Sequence, residues 1–494
     1  MASFYVENFG CRATQADGAA IEEQLQERGL HRAPAAREAE LVVVNTCTVT
    51  AAADQDARAA IRRIARENPG CQILVTGCYA QRAAEELAGL PGVKWVVGNS
   101  HKHKIAEIAM AGAEERKGGF DGGAGTGNFV SLSELISSSE LAISDQYAPD
   151  ARIEKPEAEI FVSDIFAHTE LVAAPVFEAA NERTRPNLKV QDGCDNRCSF
   201  CVIPYVRGQS RSLKREQVIA EVHALVEAGY REVVISGINL GRWGRDLAGP
   251  AQRFEELVGA ILEKTALEKL RISSVEPMDW SDELIGLMAE SPRIAKHAHV
   301  PMQSGSDAVL RRMHRKYRPW HYREKVEKIR AAMPEAAIGA DVMVGFPGES
   351  EAEFEETRRM VEDLPFTYLH VFTYSPRPGT PAAGMADQVP TQVARRRNRV
   401  LREIAASKKL EFMRGFVGKV VPAITLNVFE GGFTEALTDN YLKLRVKGRH
   451  EANEWIRACV TEAAAGALVG RVERNDPCAL GAEAQVFSSP SQHD

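Results

Sequence analysis

Three cysteines each stand just after a short apolar run: Cys11 beyond Ser3 to Asn8, Cys47 beyond Leu41 to Asn45, and Cys78 beyond Ile73 to Thr76. Helical periodicity separates these runs, and a fourth, Val93 to Val97, continues the pattern. The alternation predicts an α/β domain with an open, mainly parallel sheet over residues 1–108. In such a sheet the loops after the strands share one edge. Thiols far apart in sequence are therefore expected to meet in space. Taken alone, the same three residues also fit buried structural cysteines.

From about 186 to 375 the alternation resumes with six strand candidates: Leu188 to Gln191, Glu232 to Ser236, Leu270 to Ser274, His299 to Met302, Gly339 to Val344 and Tyr368 to Tyr374. Six such units predict a partial (β/α)6 barrel within residues 183–412, a fold that places its chemistry on the loops after the strands. The first of those loops holds Cys194-Asp-Asn-Arg-Cys198-Ser-Phe-Cys201. A structural zinc site wants four ligands, and this segment offers three with no nearby His or Cys to complete the set. Three thiolates on a 4Fe–4S cluster leave one iron open, which suits the amino and carboxylate groups of S-adenosylmethionine (SAM).

The other three of the nine cysteines, Cys71, Cys459 and Cys478, have no such setting and read as structural thiols. No apolar run reaches the roughly 18 residues of a membrane span. The opening Met-Ala-Ser-Phe-Tyr-Val-Glu reads as a strand rather than a signal peptide, so a cytoplasmic protein is expected.

A net charge of -7 argues at first against a nucleic-acid partner. Residues 113–181 reverse that impression, because they hold 13 acidic and 4 basic side chains and leave the rest of the chain at +2. This stretch belongs to a Gly/Ser-rich acidic linker or insertion, 109–182, with one short helix expected near Leu132 to Leu141. Beyond the barrel, the runs Val420 to Val428, Phe433 to Leu437, Tyr441 to Lys447 and Ala467 to Val472 predict a small all-β barrel over 415–482, followed by a disordered tail, 483–494. Two basic segments suit RNA: Arg311 to Arg323, where cations alternate with aromatics, and a helix carrying Arg395, Arg396, Arg397, Arg399 and Arg402. Each equally fits a solvated helix face.

The Cys-x3-Cys-x2-Cys segment after the first barrel strand resembles the radical-SAM superfamily. That resemblance implies one-electron cleavage of SAM to a 5′-deoxyadenosyl radical. It also implies a SAM-binding role for Ser236, Gly237, Ser274, Glu276, Gln303 and Val344, against the plain alternative of barrel-end turns and caps.

Over residues 1 to about 475, the insertion apart, the chain resembles the methylthiotransferase family. The motifs are Gly10-Cys11, Asn45-Thr-Cys47, Gly77-Cys78, Arg183-Thr-Arg185, Gln191-Asp-Gly-Cys194, Pro301-Met-Gln-Ser-Gly305 and Gly345-Phe-Pro-Gly-Glu349. The resemblance implies two 4Fe–4S clusters, one on Cys194, Cys198 and Cys201 and a sulphur-carrying one on Cys11, Cys47 and Cys78. It implies an RNA-binding TRAM domain at the end of the chain. One departure is Thr14, where the family usually has Asn.

Branches of that family act on N6-isopentenyladenosine in tRNA, on N6-threonylcarbamoyladenosine at tRNA position 37, or on an aspartate of a ribosomal protein. Asn45-Thr-Cys-Thr-Val-Thr50, Cys201-Val-Ile-Pro-Tyr-Val-Arg-Gly208, Met313-His-Arg-Lys-Tyr317 and Thr438-Asp-Asn-Tyr441 resemble the second branch. The expected partners are tRNA, an electron donor and a sulphur source, with neither DNA nor membrane; oligomeric state stays open, a monomer being compatible. The alternative from outside enzymology is an iron–sulphur RNA-binding protein.

Overall fold

The computed structural model describes residues 3–114, 158–168, 171, 185–464 and 466–473. The expected helix near 132–141, the tail, Cys478 and the Arg183-Thr184 pair lie outside them.

The N-terminal sheet contains β1 (Ser3–Asn8), β2 (His31–Arg32), β3 (Leu41–Thr46), β4 (Gln72–Gly77), β5 (Val93–Gly98) and β6 (Glu159–Phe161), in the order β2-β1-β3-β4-β5-β6. Every pairing is parallel. β3 is buried at every position, as expected of a central parallel strand covered on both faces. Val42, Val44, Ile73 and Val75 pack on one face and Val43, Leu74, Trp95 and Val97 on the other. Helix Ala51–Glu67 begins where Thr50 accepts from the Ala53 N–H and buries Ala57, Ile61 and Ile64 against the sheet.

Two edge strands escape the sequence pattern. β2 is two residues long, and β6 lies inside the stretch assigned above to the acidic linker. Residues 158–168 therefore extend the first domain rather than belong to a spacer. A strand this short carries no periodicity, and its pairing with β5 is a tertiary property.

The second unit contains β7 (Asn187–Asp192), β8 (Arg211–Ser212), β9 (Glu232–Gly237), β10 (Lys269–Ile272), β11 (His297–His299), β12 (Ala337–Val344) and β13 (Tyr368–Thr373). One sheet runs β10-β9-β7-β8 and another β11-β12-β13, and a parallel bridge from Leu270 to Ile294 connects them. Six parallel strands with helices outside make the expected partial barrel. β11 spans His297–His299, not His299 to Met302; beyond it Val300 and Met302 still donate to the Gly339 and Asp341 carbonyls of β12, and the chain turns at Gln303, whose φ is +63°. Val342 and Val344 join the core beneath the helices, so Asp341 and the histidines of β11 stand on the opposite, lumenal face.

Helix Thr391–Arg414 leads to a closed five-stranded barrel of β14 (Val420–Glu430), β15 (Phe433–Thr438), β16 (Lys443–Lys447), β17 (Trp455–Ala464) and β18 (Ala467–Val472). β17 was not among the strands expected here. Ala423, Leu444, Val446, Ala458, Val460 and Leu468 fill the interior. Cys459, read above as a thiol, is disulfide-bonded. The β15–β16 turn docks on the central unit, with Arg271 donating to the Asp439 carbonyl at 3.3 Å and Asn440 to the Glu335 carbonyl at 3.0 Å. Among the described residues no helix is long and apolar enough to cross a membrane.

Candidate functional site

β1, β3 and β4 are neighbours whose registers align Asn8 with Asn45 and Asn45 with Thr76. Cys11, Cys47 and Cys78 thus leave one edge of the sheet at one level. Their loops touch because residue 10 is glycine: at its φ of +106° an added Cβ would stand 2.5 Å from Cys47 Cβ. Asn45 Nδ2 ties the loops together, donating to Asn8 Oδ1 at 2.9 Å and to the Thr14 carbonyl at 2.8 Å.

Cys47 and Cys78 are buried, while Cys11 is exposed. Thr14 Oγ1 lies 3.6 Å from Cys11 Sγ, and Asn99 Nδ2 the same distance from Cys78 Sγ. Burial pushes the Cys47 thiol up to about 11, and the neighbouring Cys78 and Cys11 sulphurs add to the rise. The Cys47 thiol in this setting stays protonated near neutrality unless a cation replaces its proton, which is how metal binding releases protons.

The second triad follows β7. Gly193 has a φ of +72°, and a Cβ there would meet the Gln209 carbonyl oxygen at 1.9 Å, so only glycine admits the turn into Cys194. Cys194 Sγ accepts from the Asn196 N–H at 3.4 Å and stands 3.6 Å from Asn239 Nδ2. Arg315 donates to Cys198 Sγ at 3.3 Å and grips Glu276 with its other arm. Burial pushes the Cys201 thiol up to about 12, with Cys198 and Cys194 adding to it, and burial likewise raises Cys194. Both sets fit a cluster held by three thiolates: soft donors converge, with amide or guanidinium N–H groups directed at the sulphurs.

A buried ionic junction joins the two triads. Cys78 packs against Val202 and Val206, which follow directly on Cys201. Asn99 donates to the Val206 carbonyl at 2.7 Å. Behind this contact Asp17, on the helix after Cys11, pairs with Lys102 at 2.8 Å, with Arg207 at 2.8 Å and with Lys189, while Arg207 also holds Asp192 at 2.9 Å. Burial works against the Asp17 charge, but Arg207, Lys102 and Lys189 outweigh it and hold the carboxyl well below the usual range.

Of the residues expected to bind SAM, Ser236 is buried at the end of β9, its hydroxyl without a partner among the described residues. Gly237 closes the same strand, and a Cβ there would press on Gln191 at 2.9 Å. Ser274 Oγ is 2.6 Å from His299 Nδ1, Glu276 is held by Arg315, and Gln303 occupies its turn. These five lie at strand ends of the barrel. Val344 does not face the same space: its side chain is fully buried in the core and its carbonyl accepts from the Tyr374 N–H. Strand alternation puts Met343, not Val344, on the lumenal side, beside Phe200 of the Cys198–Cys201 segment.

Sequence reasoning did not single out Asp17, Asn99, Arg207 or Asn239, and read Arg315 as part of an RNA-facing run. A signal existed for Asn99, which follows β5 as the cysteines follow their strands. The Arg311–Arg323 run is divided between core and surface, with Arg311, His314, Lys316, Trp320 and His321 exposed. Tyr317 and Tyr322 are buried in the core, Arg315 is buried, and Arg311, Arg312, Arg318 and Arg323 are ion-paired within the protein. In the later helix, Arg397 is buried against Glu349, whereas Arg395, Arg399 and Arg402 share one exposed face.

A model described as Uncharacterized protein family UPF0004 matches residues 3–98, and one described as Radical SAM superfamily matches 188–361. The chain is 35% identical to the threonylcarbamoyladenosine tRNA methylthiotransferase MtaB of Bacillus subtilis, over 91% of this chain and 92% of that one. It is 33% identical to the MtaB of Aquifex aeolicus (92% and 99% covered) and 31% identical to the tRNA-2-methylthio-N(6)-dimethylallyladenosine synthase of Geobacter metallireducens (98% of both). Among solved structures, the radical SAM methyltransferase TsrM from Kitasatospora setae superposes with a TM-score of 0.52 at 14% identity, covering 78% of this chain and 77% of that one, a likeness of fold.

Proposed function

The chain belongs to the radical-SAM methylthiotransferases of the MtaB type, enzymes that use SAM and two 4Fe–4S clusters, and from that premise we propose that it adds a methylthio group to C2 of N6-threonylcarbamoyladenosine at position 37 of tRNA. We assign Cys194, Cys198 and Cys201 to the radical cluster and Cys11, Cys47 and Cys78 to the auxiliary one. When bound, the first supplies the electron that cleaves SAM to a 5′-deoxyadenosyl radical and the second presents the sulphur. The protein's own part is to hold the two triads at a fixed distance and orient the nucleoside between them. Cys78 on Val202 and Val206, with the Asp17 junction behind, is the observation that carries this reading. A one-electron donor and a sulphur source complete the reaction, and the setting is the cytoplasm.

Relatives that act on dimethylallyladenosine are nearly as similar in sequence, so the substrate rests on the lumen. Arg12, Arg271, His297, His299, Tyr368 and Tyr441 gather there: Arg12 donates to Tyr441 OH at 3.1 Å, Arg271 lies 5.2 Å from the Tyr441 ring, and the His297 ring lies tilted against Tyr441 with centroids 4.6 Å apart. Arg271 is neutralised by Glu232, so Arg12 is the cation that this polar lining offers to the carboxylate of a threonylcarbamoyl group, a contact that an apolar isopentenyl chain would leave unused. For the rest of the tRNA we assign the Arg395, Arg399 and Arg402 face together with the terminal barrel, where Arg445 covers Phe433 at 4.6 Å and Arg449 covers Phe429 at 5.1 Å.

Anaerobic reconstitution with SAM, sulphide and a reductant, followed by mass spectrometry of the nucleosides, tests the proposal. A 2-methylthio adduct of threonylcarbamoyladenosine is expected. Adduct only on isopentenyladenosine would move the chain to the other tRNA branch, and deoxyadenosine with no adduct on either tRNA would turn the search to ribosomes.

A further inference from the structure

We propose that His299, Asp341 and His370 form a mononuclear site for a first-row divalent cation, probed below with zinc, inside the barrel and separate from both thiol triads. The three residues come from adjacent strands, where the register sets His299 beside Gly339 and Asp341 beside His370. Strand alternation turns all three to the lumen. This inference goes beyond methylthio transfer and stands whichever nucleoside the enzyme modifies.

His299 Nε2 stands 3.4 Å from Asp341 Oδ1, and His370 Nδ1 stands 3.3 Å from the same oxygen. All three ligand atoms lie within 4.8 Å of one another. A charge-assisted N–H···O bond would be shorter, about 2.7–2.9 Å. Two ligands on one tetrahedral ion, each at about 2.0–2.1 Å, stand about 3.4 Å apart. The two separations match the second geometry.

His299 Nε2 is the atom that most needs a ligand. The residue is 6% exposed, and among the described residues this nitrogen has no hydrogen-bond partner. Its other ring nitrogen is 2.6 Å from Ser274 Oγ, which fixes the imidazole and leaves Nε2 to ligate, the outer-shell arrangement usual for a metal-bound histidine.

On the opposite side the site is open. The Asp341 side chain is 25% exposed and that of His370 is 56% exposed. Structural zinc sites close with a fourth protein ligand, whereas sites with three protein ligands keep a position for water or substrate. The open position here takes an oxygen donor, a water, a carboxylate or a carbonyl.

The test uses the full-length holoenzyme, reconstituted anaerobically, incubated with zinc chloride and desalted, with zinc and iron counted by elemental mass spectrometry. One zinc per chain is expected beyond the iron, with a purely nitrogen and oxygen shell at about 2.0–2.1 Å in zinc-edge X-ray absorption. Asp341→Asn and His299→Gln should each lower retained zinc at least tenfold at unchanged iron. Zinc–sulphur scattering at about 2.3 Å would place the ion on the cysteines and overturn the site. So would failure of wild type to retain zinc, or equal zinc in wild type and Asp341→Asn. If those variants also lose iron, His370→Ala, at an exposed position, decides: retained zinc overturns the proposal.

Discussion

Asn99 Nδ2 donates a 2.7 Å hydrogen bond to the carbonyl oxygen of Val206, joining the loop after the fifth N-terminal strand to the segment that leaves the second cysteine triad. The same nitrogen is 3.6 Å from Cys78 Sγ. One amide thus touches both halves of the proposed two-cluster site. Asn99→Ala leaves a buried carbonyl unpaired, at a cost of about 1–3 kcal/mol. We expect SAM cleavage to continue while the methylthio product falls, which the ratio of deoxyadenosine to methylthio nucleoside will measure.

Asp17 is the shared anion of Lys102, Lys189 and Arg207, all buried. Asp17→Asn should destabilise the protein by about 3–5 kcal/mol, because the cations lose their partner while staying out of water. The carboxyl is held below its usual range in the fold. Its contribution is therefore complete above the unfolded pKa of about 3.9 and is lost as pH falls below that. Thermal melts of wild type and variant should differ most near neutrality and converge in acid.

The two triads should separate by function. Cys198→Ala is expected to abolish deoxyadenosine formation from SAM. Cys47→Ala should spare that formation and stop sulphur insertion. Persistent cleavage in the first variant, or unchanged product in the second, would remove the corresponding cluster assignment.

Arg315 donates to Cys198 Sγ and holds Glu276. Outer-shell partners of metal ligands typically contribute about 10–100-fold in affinity or activity. Arg315→Met should slow deoxyadenosine formation by that order with all six cysteines in place. Iron content read alongside the rate shows whether the cluster was lost or only detuned.

Converting Arg395, Arg399 and Arg402 together to Gln should weaken tRNA binding and flatten its salt dependence, by up to about 0.9 in slope for each phosphate no longer neutralised. Phe429, 46% exposed beneath Arg449, should cost about 1–3 kcal/mol on truncation to Ala if a base stacks on it. Binding isotherms at several salt concentrations measure both.

The sequence by itself determined the architecture and the placing of the thiols. Short apolar runs and period-3.6 patterns mark the parallel strands and their helices, and residues at strand ends share an edge whatever the details of packing; hence Cys11, Cys47 and Cys78 were legible as one group. Only the tertiary structure decided what surrounds them. Asp17, Asn99 and Arg207 meet across domain boundaries, and no local pattern encodes a contact between helices and loops so distant in the chain. It also separated residues that look alike in the sequence. Arg315 is buried against Cys198 whereas Arg395 is exposed, and Val344 faces the core whereas Asp341, three residues earlier on the same strand, faces the lumen. Burial is a property of the assembled fold, and it turns identical cations into a thiol neighbour, a buried ion pair or an exposed charge.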